Sequence, residues 1–262
     1  MALRKLFARD GFLLIKNFFT ESEAIFLSNE ASNLQQLPEK YGGYMKYYET
    51  VNTSSIDINS NNERILARME NFIDETTELR YLVNNRVKTT LEEVADTNMT
   101  LFKDKLNWKL PGGGAFKPHQ DFEAWSDFEL SSFITCALFA DKATIKNGCL
   151  EFVSGSHKNG ILPNNYGCLT DEVVNNLKWE KIETTPRDML LFDSYTPHKS
   201  DINKSKHKRR IFYFTFNKEE EGSYYKDYFD KKRQVFPPDF ERNNTLTLET
   251  LNSKYNLANP IS

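Results

Sequence analysis

The residues of this 262-residue chain best suited to chemistry are two histidines and an aspartate. His119 and Asp121 fall in the run Lys117-Pro118-His119-Gln120-Asp121, and His198 follows about eighty residues later. In an extended segment, residues i and i+2 project from the same face, so His119 and Asp121 can grip one ion. Two neutral imidazoles and a carboxylate on one side of an ion are the donor set of non-haem Fe(II) oxygenases, and they leave coordination positions open for reaction. A bare His-x-Asp is also a common surface hydrogen-bonded pair, so its surroundings decide between the readings. His157, in Gly155-Ser156-His157, reads as a loop histidine rather than a fourth ligand. His207 sits in the basic run 204–210 and reads as solvated.

The elements that must position these residues fall into two regions. Residues 11–19 (GFLLIKNFF) read as a strand, and Thr20-Glu21-Ser22-Glu23 fits a capping box that starts a helix running to about Leu34. Residues 35–62 look irregular, and 64–72 and 78–97 look helical. From Thr100 the pattern turns to short strands: 102–110, broken by Pro111-Gly112-Gly113-Gly114, then 133–140, 149–153 after the hairpin-type turn Asn147-Gly148, 189–192 and 211–217. Residues 222–233 form a charged segment expected to be helical and to end at Pro237-Pro238. Helices followed by strands suggest a mainly β protein, a double-sheet jelly roll with N-terminal helical support. The expected division is 1–99 as support and lid, 100–220 as the metal-binding core and 221–262 as a tail, all within one domain.

Composition narrows the classes. The net charge of -3 is spread along the chain and gives no nucleic-acid footprint. No apolar run reaches the roughly 18 residues of a membrane span, and residues 1–10 lack a signal-peptide core. Cys136, Cys149 and Cys168 are an odd set without metal-type spacing, which suggests reduced thiols that fill the core of a cytoplasmic protein. The 20 Phe and 12 Tyr supply material for a large core.

Three blocks carry a resemblance: LFKDKLNWKLPGGGAFKPHQDFEAW from Leu101, NGCLEFVSGSHKNG from Asn147, and FDSYTPHKSDINKSKHKRRIFYFTFN from Phe192. Together they resemble the phytanoyl-CoA dioxygenase superfamily over about residues 100–220. The resemblance implies a double-stranded β-helix and an oxygenase dependent on Fe(II), 2-oxoglutarate and O2. It implies His119, Asp121 and His198 as iron ligands, Arg209 and Ser200 at the distal carboxylate of 2-oxoglutarate, and Asn107, with Lys103, near the same co-substrate. Parity agrees for Arg209: it shares a strand face with Ile211 and Tyr213, while Arg210 points away as a surface or supporting charge. Guanidinium is suited to a two-point grip on a carboxylate. Related halogenases lack the carboxylate at the position of Asp121, so its presence favours hydroxylation.

The substrate is expected to be a small polar metabolite. If the strand continues past Asp121, Glu123 and Trp125 share its face and can contact substrate; the alternative for Glu123 is an exposed rim. Lys103, Lys105 and Lys109 share the face of Asn107. An inward lysine needs an anion, which suggests a carboxylate or phosphonate; a solvated strand edge is the alternative. The patterns MKYYE from Met45 and MENF from Met69, with GSYYKDYFDKKRQVFPPDFER from Gly222, resemble the branch that hydroxylates aminoalkylphosphonates at the carbon next to phosphorus. On that resemblance Tyr47, Arg68, Glu70 and Asn71 come from the region over the barrel mouth. The same chemistry on an amino acid or betaine-like compound of natural-product biosynthesis stays open, as do a 2-oxoglutarate-binding sensor and a zinc hydrolase.

Overall fold

The computed structural model describes residues 2–51, 63–242, 254–256 and 258. Along the chain run α1 (Ala2–Asp10), β1 (Phe12–Ile15), α2 (Glu21–Gln36), β2 (Met45–Val51), β3 (Glu63–Glu70), α3 (Thr77–Leu82), α4 (Lys88–Ala95), β4 (Met99–Lys109), β5 (Phe116–His119), α5 (Phe122–Trp125), β6 (Phe133–Phe139), β7 (Leu150–Phe152), β8 (Asn164–Asn165), β9 (Cys168–Leu169), α6 (Asp171–Asn176), β10 (Glu180–Ile182), β11 (Met189–Asp193), β12 (His198–Ser200), β13 (Arg209–Lys218) and α7 (Tyr225–Val235). Among the described residues they make two antiparallel sheets. The larger has seven strands in the order β1-β11-β6-β13-β4-β3-β2, and the smaller has six, β10-β7-β12-β5-β9-β8. This is the expected jelly roll.

Period-two alternation assigns each face of the large sheet. On β13, Phe212, Phe214 and Phe216 point outward with Leu106 and Trp108 of β4. They pack beneath Leu27 and Leu34 of α2 and Leu91 of α4. Ile211 and Tyr213 point inward with Phe139, Leu190 and Phe192, and meet Leu150 and Phe152 of the small sheet. Helix α7 closes a third cluster, in which Tyr228 and Phe229 pack with Tyr47, Phe102, Trp125 and Phe133.

The capping box forms as read. The backbone N–H of Glu23 donates to Thr20 Oγ1 at 3.3 Å, and that of Thr20 donates to Glu23 Oε2 at 2.8 Å. Of residues 78–97, read as helical, 78–95 are helical, with a π-turn at Val83–Val87, and Asp96 caps the end in a left-handed conformation.

Two expectations fail in the N-terminal third. Residues 45–51, read as irregular, form β2, and most of 64–72, read as a helix, falls in β3 (Glu63–Glu70); residues 52–62 of the expected irregular stretch lie outside the described residues. Leu, Ala, Met, Arg and Glu make ERILARME a good helix former, but propensity is a weak prior beside sheet pairing. Arg68, Met69 and Glu70 pair with Asn107, Leu106 and Lys105. The N-terminal third therefore extends the large sheet as well as covering it with helices.

The turn at Asn147-Gly148 exists, but it links β6 of one sheet to β7 of the other rather than closing a hairpin. Gly148 has φ +75°, and an added Cβ would run into the carbonyl oxygen of Asp201. Only glycine suits both constraints.

Candidate metal centre and active site

His119 ends β5 and His198 opens β12, and the two are direct partners across the antiparallel pair. Their ring centroids lie 4.2 Å apart. Asp121 sits just past the strand with φ -62° and ψ -30°, at the start of α5. Its Oδ1 is 3.5 Å from His119 Nε2 and its Oδ2 is 3.8 Å from His198 Nε2. One ligand atom from each residue falls within 4.8 Å of the others, and all three residues are buried.

The tautomers follow from the neighbours. His119 Nδ1 lies 2.7 Å from the carbonyl of Lys117, and His198 Nδ1 lies 3.1 Å from that of Thr196. A carbonyl only accepts, so both Nδ1 atoms carry the proton and both Nε2 lone pairs face Asp121. Burial, then the neighbouring His119, pushes His198 down to about 3, so it presents a neutral imidazole at ordinary pH. Burial opposes the charge of Asp121, but positive charge on its neighbours, that of Lys105 among them, outweighs it and holds its carboxyl well below the usual range. Two neutral nitrogens and one carboxylate on one side of a point suit Fe(II).

Gln120, between the two ligands, faces the other way. Its Nε2 donates to the carbonyls of Gly160 (2.9 Å) and Tyr195 (2.6 Å), and its Oε1 accepts from Leu162 N–H (2.8 Å). One buried side chain thus pins the ligand strand to the loops around it.

The three ligands open into a narrow cavity between the sheets, lined also by Lys105, Asn107, Phe116, Leu150, Phe192, Lys199, Ser200 and Tyr213. At its Ser200 end Lys109 Nζ donates to Ser200 Oγ at 2.8 Å and to Asp201 O at 2.5 Å. Arg209 is the cross-strand partner of Lys109. It is fully buried, donates from Nη1 to Gly148 O at 2.5 Å, and leaves its Nε without a hydrogen-bond partner. Burial disfavours the charge of both groups, and Arg209 further lowers Lys109. Two buried cations, an orphaned guanidinium N–H and a hydroxyl together suit the carboxylate of a dicarboxylic co-substrate.

The structure brings His119, Asp121, His198, Asn107, Ser200 and Lys105 to one cavity, and Arg209 lies outside its lining, opposite the Lys109 that contacts Ser200. It does not bring Lys103, Glu123, Trp125, Tyr47 or Asn71 there. Lys103 donates to the Tyr228 hydroxyl at 2.9 Å and sits over the Trp125 ring. The strand does not continue past Asp121: α5 turns Trp125 into the core against Phe102 and Phe133 and leaves Glu123 half-buried on the helix. Tyr47 donates to Phe236 O at 2.9 Å, and Asn71 reaches Gly43 O at 3.4 Å from a turn with φ +58°. His157 stands apart from the ligand cluster.

Arg210 does point away, but it is no surface charge. It is buried, pairs with both oxygens of Asp141 and donates to Ser28 and Ser32 of α2. The sequence reading gave Lys109, which contacts Ser200, no part in holding the co-substrate. The signal was its inward parity with Asn107 and its position opposite Arg209.

The profile of the phytanoyl-CoA dioxygenase (PhyH) family matches residues 7–211. The chain belongs to the phytanoyl-CoA dioxygenase family. The 2-aminoethylphosphonate dioxygenase of an uncultured bacterium (HF130_AEPn_1) is 35% identical over 254 residues, covering 96% of this chain and 94% of that protein. The methylphosphonate hydroxylase of Gimesia maris is 41% identical over 137 residues, 52% of each chain. The crystal structure of EctD from S. alaskensis with 2-oxoglutarate and 5-hydroxyectoine has the same fold, with TM-score 0.66 and 20% identity over 83% of this chain and 76% of that one. This phytanoyl-CoA dioxygenase family member is a dioxygenase that uses iron and 2-oxoglutarate and acts on a small molecule. Its family makes it an enzyme rather than a sensor, and it has the buried ligand set for the metal.

Proposed function

We propose that the enzyme hydroxylates an aminoalkylphosphonate at the carbon next to phosphorus. The observation that carries this reading is the 35% identity to the 2-aminoethylphosphonate dioxygenase along nearly the whole chain. A cavity wall carrying the lysine Lys105 beside Asn107 supports an anionic substrate. His119, Asp121 and His198 hold the iron, and Arg209, Lys109 and Ser200 hold the far carboxylate of 2-oxoglutarate, with Asn107 alongside. Iron and 2-oxoglutarate supply the oxidant when bound. The reaction converts C–H, O2 and 2-oxoglutarate to C–OH, succinate and CO2.

The protein's own work is positioning. The carbonyls of Lys117 and Thr196 fix the two imidazoles. The aromatic rings of Phe152 and Phe192 pack on His198 at 5.7 and 4.9 Å and keep water from that side. The three free cysteines fit a reducing compartment, and we place the enzyme in the cytoplasm.

The test is succinate release by Fe(II)-reconstituted protein across aminoalkylphosphonates, amino acids and betaines. Succinate formed one-for-one with a 1-hydroxyphosphonate is the expected result, and it is lost in His119→Ala and Asp121→Ala. Coupled turnover of an amino acid or betaine alone would replace the phosphonate reading.

A further inference from the structure

Beside the iron cavity lies a drier group of charges that iron and 2-oxoglutarate binding do not use. Across β3 and β4, Arg68 is the direct partner of Asn107, and Glu70 that of Lys105; Asn107 and Lys105 line the cavity. Arg68, Glu70, Lys103 and Lys232 are all buried. Glu70 forms a hydrogen-bonded ion pair with Lys232 and lies 3.6 Å from both Lys103 Nζ and Arg68 Nε. One carboxylate therefore serves three basic groups, and burial with the neighbouring Arg68 and Lys103 pushes Lys232 well below its ordinary value.

The three cations are not equally served. Lys232 has its pair with Glu70. Lys103 has the Tyr228 hydroxyl and the faces of Trp125 and Tyr228. Arg68 has the face of Tyr47 at 4.8 Å and Glu70 at 3.6 Å, too far for a hydrogen bond. Its Nε and Nη2 are buried without a hydrogen-bond partner, and so is Oδ1 of its neighbour Asn107. Leaving such a donor unmade is costly, more so for a charged group, and folds keep buried charges paired. A guanidinium with two free N–H groups is shaped for two oxygens of a tetrahedral oxyanion.

We propose that Arg68, with Lys105 beside it on the cavity wall, seats the phosphonate of the substrate. This rests on the phosphonate reading above. A phosphonate supplies negative charge to this basic cluster and acceptors to the orphaned N–H groups. Because Arg68 and Asn107 are register partners, the anion is held against the wall that faces the iron ligands, which brings the carbon next to phosphorus toward the metal. Tyr47 and Glu70 are positioning residues that hold the guanidinium from behind.

The experiment titrates anaerobic Fe(II)- and 2-oxoglutarate-loaded protein with methylphosphonate and 2-aminoethylphosphonate by calorimetry, in wild type, Arg68→Met and Arg68→Lys. Arg68→Met is expected to weaken phosphonate binding about 100-fold, the loss typical of removing one partner of a buried charge pair, with 2-oxoglutarate affinity unchanged. Arg68→Lys keeps the charge without the fork and is expected to weaken it about tenfold. Unchanged phosphonate affinity in Arg68→Met overturns the inference, even if wild type hydroxylates a phosphonate. Arg68-dependent phosphonate binding without any hydroxyphosphonate formed supports the seat while refuting the substrate reading. If Arg68→Met also loses 2-oxoglutarate, its fold is disturbed and Arg68→Lys decides: wild-type phosphonate affinity there overturns the proposal.

Discussion

A single carboxyl at the end of β11 makes the stability of this protein depend on mildly acidic pH. Asp193 accepts from the backbone N–H of Tyr195 at 2.8 Å, at the start of the turn that delivers His198. Burial raises its carboxyl to about 6 despite that bond. The folded state thus holds a proton that the unfolded chain, with an ordinary value of 3.8, has already released. The stability from this group is full below about pH 4 and falls as pH rises towards 6, by about 3 kcal/mol at about 1.4 kcal/mol per unit. Asp193→Asn keeps the acceptor and removes the charge. Urea denaturation at pH 4, 5, 6 and 7 is expected to show the variant gaining on wild type across that window. A constant offset between the two would mean that the carboxyl is not shifted. At this scale much of the site was legible. His119, Asp121 and His198 were readable because ligand chemistry is written in residue types, and Arg209 was separable from Arg210 by strand parity. Glu123 and Trp125 were misplaced because parity holds only while the strand lasts. Nothing local but the helix-friendly Phe-Glu-Ala-Trp marks where the backbone leaves β5.

At the scale of elements, the turn before β7 carries more than its own conformation. Gly148 offers its carbonyl to Arg209 and packs its α-carbon against Asp201, whose own carbonyl accepts from Lys109. Gly148→Ala adds left-handed strain of about 1 kcal/mol and forces the two chain segments apart. The expected outcome is a lower melting temperature together with a KM for 2-oxoglutarate raised about tenfold, since 1.4 kcal/mol is a factor of ten. Melting that falls with an unchanged KM would separate the turn from the co-substrate end. The elements themselves were read unevenly. The capping box of α2, β4 and β13 announced themselves through local chemistry or clean alternation. Strand β3 did not, because its residues prefer a helix and only pairing with β4 overrides them. That pairing is long-range information, absent from any local window.

For the whole molecule, the two histidine ligands come from neighbouring strands of the small sheet, so an ion that binds them ties β5 to β12. Ligands that bind only the folded state stabilise it by about 2.7 kcal/mol at a hundredfold excess over Kd. For a chain of this size that raises the melting temperature by roughly 5–10 °C. Anaerobic Fe(II) with 2-oxoglutarate is expected to produce that rise in wild type and none in His198→Ala. An equal rise in both would place the stabilising ion elsewhere.

The strand order of the large sheet has a kinetic corollary. Strand β13 lies between β6 and β4 at the sheet's centre, yet among the described residues it is the last strand to be made. Until residue 218 has left the ribosome, β4 and β6 have an empty lane between them, and Phe212, Phe214 and Phe216 are missing from beneath the helices. The nascent chain must carry exposed sheet edges through most of its synthesis, a state prone to mispairing. Closure then depends on contacts between residues about a hundred positions apart, the kind of topology that folds slowly. The strand that carries Arg209 is thus also the keystone whose late arrival converts an open, sticky intermediate into a finished barrel.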